Sequence, residues 1–225
     1  MTAAVAFEKE ELEALARTFR KGRWVDARDR ALLALGCSCP ARVSEMLALR
    51  ESGVADPQGR VAGVWHCAAK DNKTRTATDY EITPTAREAL EAWLPMRRRL
   101  GYRRCDPLFP ALGRTGAMSR WSAWGMIKRR CAEAGVELRG HSCHSMKKTA
   151  IGNAYDSLLE RLAAGEKGID PLRDAQAFSG HKSLSQMIVY LRKRADKARR
   201  EGFAAADKGA RPLLEGWAID GGKDG

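Results

Sequence analysis

Hydrophobic positions at helical spacing dominate the first fifty residues. Phe7, Leu12, Leu15 and Phe19 predict a helix over residues 7–20. A second helix is expected over 25–37, with Ala31, Leu32, Leu33 and Leu35 as its apolar part, before Cys39 and Pro40 interrupt it. A third begins near Pro40 or Ala41, since proline is tolerated at a helix start, and runs through SEMLALR. Between 60 and 83 the period shortens to two. Val61, Gly63, Trp65 and Cys67 alternate with other residues, as do Thr76, Thr78, Tyr80 and Ile82, across a polar turn of Lys70, Asp71, Asn72 and Lys73. That is the pattern of a β-hairpin with lysine at its tip. Thr85-Ala-Arg-Glu88 is a capping-box sequence and opens a helix to about Leu100. Residues 101–117, with Pro107, Pro110, Gly113 and Gly116, read as loop. Helices are expected at 119–134, stopped by Gly135, and then at about 144–164, 171–179 and 183–204. The tail 205–225 is Gly-rich and irregular. The fold class is α+β: mainly α-helical with a small antiparallel β-hairpin or sheet.

Composition sharpens this picture. The chain has 225 residues, 44% hydrophobic and 30% charged, enough for a packed core. Its formal charge of +12 makes a polyanion the leading partner, nucleic acid ahead of membrane. Residues 1–60 are nearly neutral, so the excess lies downstream, with dense clusters at Arg97, Arg98, Arg99, Arg103 and Arg104 and at Arg192, Lys193, Arg194, Lys197, Arg199 and Arg200. No run is long and apolar enough to span a membrane, and the acidic start does not read as a signal peptide. A cytoplasmic location follows, with the six scattered cysteines as reduced thiols. The Cys and His spacings do not match zinc motifs, and no G-x-x-x-x-G-K loop is present.

Five separated pieces carry candidate chemistry. They are Arg42-Val-Ser-Glu45, the hairpin tip Lys70-Asp-Asn-Lys73-Thr-Arg75, His144-Ser-Met-Lys147-Lys148-Thr149, Ser179-Gly180-His181, and Met187-Ile-Val-Tyr190. Each has an ordinary reading alone: Arg42 pairing with Glu45, solvated hairpin lysines, a capping histidine, a core tyrosine. Their order resembles the catalytic domain of the tyrosine recombinases, or phage-type integrases. That family shows an R-[IV]-S-E-L-like helix start, a hairpin Lys, an H-x-x-R box, a Gly-His pair and a nucleophilic Tyr. The resemblance covers about residues 8–200.

The resemblance implies a DNA breaking-rejoining fold and a site-specific recombinase or integrase that cuts through a 3′-phosphotyrosyl intermediate. Tyr190 is then the nucleophile, and Arg42, His144 and Lys147 clamp the phosphate. Lys70 protonates the leaving 5′ oxygen, and His181 contacts the phosphate or orients Tyr190. Cationic side chains do the electrostatic work, so no cofactor, metal or ATP is expected. Lys73, Arg75, Lys148, Arg97, Arg98, Arg192 and Lys193 are candidate contacts to flanking double-stranded DNA. The implied assembly is a homo-tetramer on DNA, with accessory DNA-binding proteins as further candidate partners and a bacterial, phage or mobile-element origin. Residues 1–204 form the catalytic domain. Residues 205–225 form a tail whose Leu213, Leu214 and Trp217 are suited to docking on a neighbour, and the family's N-terminal core-binding domain is expected to be absent.

One position departs from the pattern. Lys147 stands where the family has a second arginine; it keeps the charge but loses the bidentate fork. The alternative register, His141-Ser-Cys-His144, would put histidine in the arginine position and is set aside. Related readings are a type IB topoisomerase, a telomere resolvase, or a catalytically impaired recombinase-derived DNA-binding module.

Overall fold

The computed structural model describes residues 4–72, 75–111, 116–185, 187, 206 and 208. In chain order the elements are α1 (Lys9–Arg17), α2 (Trp24–Ser38), α3 (Val43–Leu47), a 3-10 turn (Glu51–Gly53), β1 (Val64–Cys67), β2 (Thr78–Glu81), α4 (Pro84–Arg99), α5 (Arg120–Glu133), α6 (Cys143–Ala163) and α7 (Pro171–Ser179). Each predicted helix up to α7 is present within a few residues of its expected bounds. Of the helix expected at 183–204, Ser183 is a bend, Leu184, Ser185 and Met187 are helical, and residues 186 and 188–204 lie outside the described residues. One cap differs from expectation. Thr83, not Thr85, caps α4 by accepting the Ala86 N–H at 3.3 Å. Pro84 explains the shift, because its fixed φ and missing N–H suit the first helical position.

Helix α2 is the centre of the fold. Ala31, Leu32 and Leu35 are fully buried between α4, which contributes Leu90, Trp93 and Leu94, and α6, which contributes Met146. Gly36 lets α2 and α6 approach closely: a Cβ there would lie 2.6 Å from Met146 Sδ and 3.0 Å from Met146 Cβ. The two-stranded antiparallel sheet pairs Trp65 with Tyr80 and Cys67 with Thr78. Its inward face, Trp65 and Cys67, joins the main core, and the Trp65 and Tyr80 rings pack at 4.7 Å. A smaller cluster of Ile151, Ala175 and Met187 holds α7 against α6.

Charged groups are also buried, and two ion-pair networks hold most of them. Arg130 on α5 reaches Asp26 and Asp29 on α2, and Arg28 meets Asp29 Oδ1 at 2.8 Å while donating to the Pro110 carbonyl at 2.9 Å. This network fixes α5 against α2. A second network corrects an expectation. Arg97 was assigned to flanking DNA, yet its side chain is fully buried, ion-paired to Glu51 at 2.7 Å and donating to the carbonyls of Arg103, Asp106 and Pro107. Arg98 Nε donates to the same Glu51 at 2.7 Å. Both guanidiniums pair with this buried carboxylate, Arg97 from a fully buried position and Arg98 with its side chain still 35% exposed. Cationic density along a sequence does not reveal which cations already have a buried partner.

Candidate active site

Three helices present their N-terminal ends to one cavity of about 140 Å³. Its lining includes Arg42 and Ser44 at the start of α3, Arg120 at the first position of α5, and Cys143, His144 and Lys147 from the first turns of α6. Lysine, arginine and histidine at a helix N-terminus oppose the helix dipole, each at a cost of roughly 0.3–1 kcal/mol. No carboxylate lines the cavity among the described residues. Clustered cations with no carboxylate among them give the cavity a positive lining that suits an anion.

Arg42 is the N-cap residue of α3 and pairs with Glu45, the ordinary reading of that motif. Its backbone N–H donates to Glu45 Oε2 at 2.7 Å and its guanidinium meets Glu45 Oε1 at 3.1 Å, while its side chain remains partly open to the cavity. Glu45 is buried behind the cavity and also accepts from the Tyr80 hydroxyl at 3.2 Å. The hairpin thus reaches the site through Tyr80, whose pKa is raised by burial and by Glu45. Lys147 is 5% exposed, and its Nζ donates to the Ser179 carbonyl at 3.5 Å. Burial, and then the Arg42 charge, push its pKa down to about 8; Glu45 opposes that shift.

The αL conformation of Gly180 (φ 65°) ends α7 and turns the chain at His181. His181 Nδ1 lies 2.6 Å from Ser179 Oγ, and Gln176 Nε2 donates to the His181 carbonyl at 3.0 Å. Burial, with Lys147 and Arg42, lowers the His181 pKa to about 4, so the imidazole is neutral at pH 7. His144 lies more exposed on the rim, its pKa lowered by desolvation and by Arg120, Lys147, Arg42 and Lys148. Burial pushes the Cys143 thiol up to about 11 despite Arg120, which keeps it protonated near neutral pH.

The structure therefore brings Arg42, His144 and Lys147 to one cavity and sets His181 within electrostatic reach of two of them. His141 turns away: it is buried, stacked on Phe7 at 4.6 Å, with Nδ1 2.7 Å from the Glu137 carbonyl. Lys70 is exposed on the hairpin and does not line the cavity, and Arg75, also exposed, donates to the Lys70 carbonyl at 3.4 Å. Lys148 is half-buried on α6. Tyr190, Lys73, Arg192 and Lys193, like Leu213, Leu214 and Trp217, lie outside the described residues. Arg120 is the cavity residue that sequence reasoning missed. Its signal was a cation directly after the capping Ser119, where an acidic residue is favoured.

Residues 6–197 match the model of the phage integrase family. The chain belongs to the phage integrase family, the tyrosine recombinases. Among curated relatives of this integrase-family chain, tyrosine recombinase XerC of Stutzerimonas stutzeri (strain A1501) is 32% identical over 169 residues, 74% of this chain and 48% of that protein. Tyrosine recombinase XerD of Pseudomonas putida is 28% identical over 186 residues, 80% of this chain and 54% of that protein. The chain thus spans about half the length of these curated relatives. The fold matches that of XerA recombinase (TM-score 0.62, 20% identity, 88% of this chain and 66% of that one). It also matches XerH site-specific recombinase bound to palindromic difH substrate, in a post-cleavage complex (TM-score 0.62, 20% identity, 89% and 52%).

Proposed function

We propose that this chain is the catalytic part of a site-specific DNA recombinase or integrase that cuts and rejoins DNA through a 3′-phosphotyrosyl intermediate. The observation that carries the reading is the carboxylate-free cavity where Arg42, Arg120, His144 and Lys147 converge on helix N-termini. Family membership and the DNA-bound state of the XerH structure support it.

In this mechanism the Tyr190 hydroxyl attacks phosphorus, a P–O bond to tyrosine forms, and the P–O5′ bond breaks. Arg42 binds the nonbridging oxygens through its planar fork, with Arg120 and Lys147 adding charge that is worth more in a partly buried site than in water. Neutral His181 and the weakly basic His144 offer ring nitrogens for hydrogen bonding to the phosphate or the phenol. Lys70, on the hairpin that is tied to Glu45 through Tyr80, delivers the proton to the leaving 5′ oxygen. Attack by a second 5′ hydroxyl reverses the steps and joins a new strand. The phosphotyrosyl bond conserves the energy of the broken bond, and none of these steps calls for ATP. Exchange between two duplexes implies a tetramer on DNA in the bacterial cytoplasm, with Lys73, Arg75, Lys148, Arg192 and Lys193 on flanking backbone and Leu213, Leu214 and Trp217 docking on a neighbour.

Lys147 favours a second reading, a DNA-binding module that has lost catalysis, because a buried lysine has no bidentate fork. One experiment separates the two. Incubation with a nicked suicide substrate carrying the element's own recombination site should yield a covalent adduct that survives denaturation and disappears in Tyr190→Phe. Binding of that substrate without an adduct refutes the enzyme reading and leaves the module.

A further inference from the structure

Two of the described tryptophans stand apart from the others. Trp65 and Trp93 are buried, and Trp24 packs partly buried against the core. Trp121 is 75% exposed and Trp124 is 36% exposed, although exposing indole to water forgoes a large apolar burial. They lie one turn apart on α5 and their rings stack at 4.7 Å and 23°. Lys128, on the next turn, places its Nζ 5.6 Å from the Trp124 ring.

The position of this pair is the informative point. Trp121 and Trp124 line a cavity of about 340 Å³ with Ser142, and Arg120 and His144 belong both to its wall and to that of the anion cavity. An anion clamp therefore opens directly onto an aromatic platform flanked by a lysine. That is the chemical order of a nucleotide, phosphate then base. In a stacked duplex each base face is covered by its neighbours, so an indole can take one only after local unstacking. A recombining strand supplies that state when it is cut and must leave its partner.

We infer that Trp121 and Trp124 form a stacking subsite for a nucleobase of an unpaired strand next to the phosphate held by Arg42, Arg120 and Lys147. The inference deepens the recombinase reading and rests on it for the identity of the phosphate. The cationic wall selects the occupant: an apolar peptide would gain the indoles but leave the Arg120 guanidinium unmatched, whereas a phosphate of an unpaired strand pairs with it, and Lys128, whose Nζ donates to the Leu138 carbonyl, adds positive charge beside Trp124.

The test measures anisotropy of fluorescein-labelled oligothymidylate and of a labelled mixed-sequence duplex of equal length, with the full chain, at raised salt to suppress the backbone contribution. Stacking on an aromatic side chain is worth about 1–3 kcal/mol per base, so Trp121→Ala should weaken oligothymidylate binding by roughly 5- to 100-fold. Trp124→Ala should weaken it less, because that indole is more covered. Trp121→Phe should retain most of the affinity, and duplex binding should change little. Equal weakening of single strand and duplex overturns the proposal in favour of a groove contact. No weakening, or a changed oligomeric state in Trp121→Ala, overturns it in favour of a protein-docking face. The adduct assay with the suicide substrate runs alongside. Trp-dependent single-strand binding without an adduct refutes the recombinase reading alone, and an adduct without Trp dependence refutes the subsite alone.

Discussion

The buried lysine in the anion cavity should make DNA cleavage fall at alkaline pH in a way that arginine at the same position abolishes. In the free protein, burial and Arg42 hold the Lys147 pKa at about 8, below the ordinary lysine value of 10.5. A displacement of that size corresponds to about 3 kcal/mol against the charged form in the folded protein. The ratio kcat/KM reports groups of the free enzyme, so the protonated, phosphate-binding fraction of Lys147 sets its alkaline limb. With a pKa of about 8, that fraction falls about fivefold from pH 8 to pH 9 and about tenfold per unit above. Titration of Tyr190 and of the leaving-group acid is common to wild type and Lys147→Arg, so the ratio of their single-turnover rates at subsaturating suicide substrate isolates Lys147. That ratio should be level below about pH 7 and decline above pH 8. A ratio that stays level to pH 9.5 refutes the reasoning, as does complete loss of cleavage in Lys147→Arg, which would show that the cavity rejects a guanidinium. The linkage sign gives an independent check. The folded-state pKa lies below the unfolded one, so the charged lysine costs stability at neutral pH, and that cost is relieved as pH rises from about 8 to 10.5. Lys147→Met should accordingly gain up to about 3 kcal/mol in urea denaturation at pH 7, and less at pH 10.

Arg120→Ala should lower the cleavage rate about 10²- to 10³-fold with no loss of stability, since it removes a cation from an unfavourable helix end; an unchanged rate would show that the anion does not rest against α5. Arg97→Met should destabilise the fold by about 3–5 kcal/mol in urea denaturation because Glu51 loses its fully buried partner, while the salt dependence of DNA binding stays that of wild type; a reduced salt slope would return Arg97 to the DNA interface. Gly36→Ala should lower stability by about 1–3 kcal/mol by forcing α6 from α2, and should lower cleavage because His144 and Lys147 ride on α6; a Tm equal to wild type would show that Met146 repacks freely.

The local structure of this protein was largely legible in its sequence, because helical and strand periods and their stop signals act over a few residues. The helices, the hairpin, and the order of Arg42, Lys70, His144, Lys147, His181 and Tyr190 needed no tertiary information. His144 lines the cavity, whereas His141 precedes the Ser142 cap of α6 and is buried against Phe7. What the sequence could not contain was the state of a charge after packing. Arg97 and Arg98 stood in a basic run that read as a DNA contact, yet Glu51, some 46 residues earlier, holds both. Arg120 sat in no recognised motif and joined the site because the Arg130–Asp26–Asp29 network sets α5 where its N-terminus meets those of α3 and α6. The chain itself determined which cations it carries and on which elements. Only the tertiary structure decided which meet a buried carboxylate, which face the shared cavity, and that burial lowers the Lys147 pKa, because desolvation and charge proximity arise when distant segments close on one another.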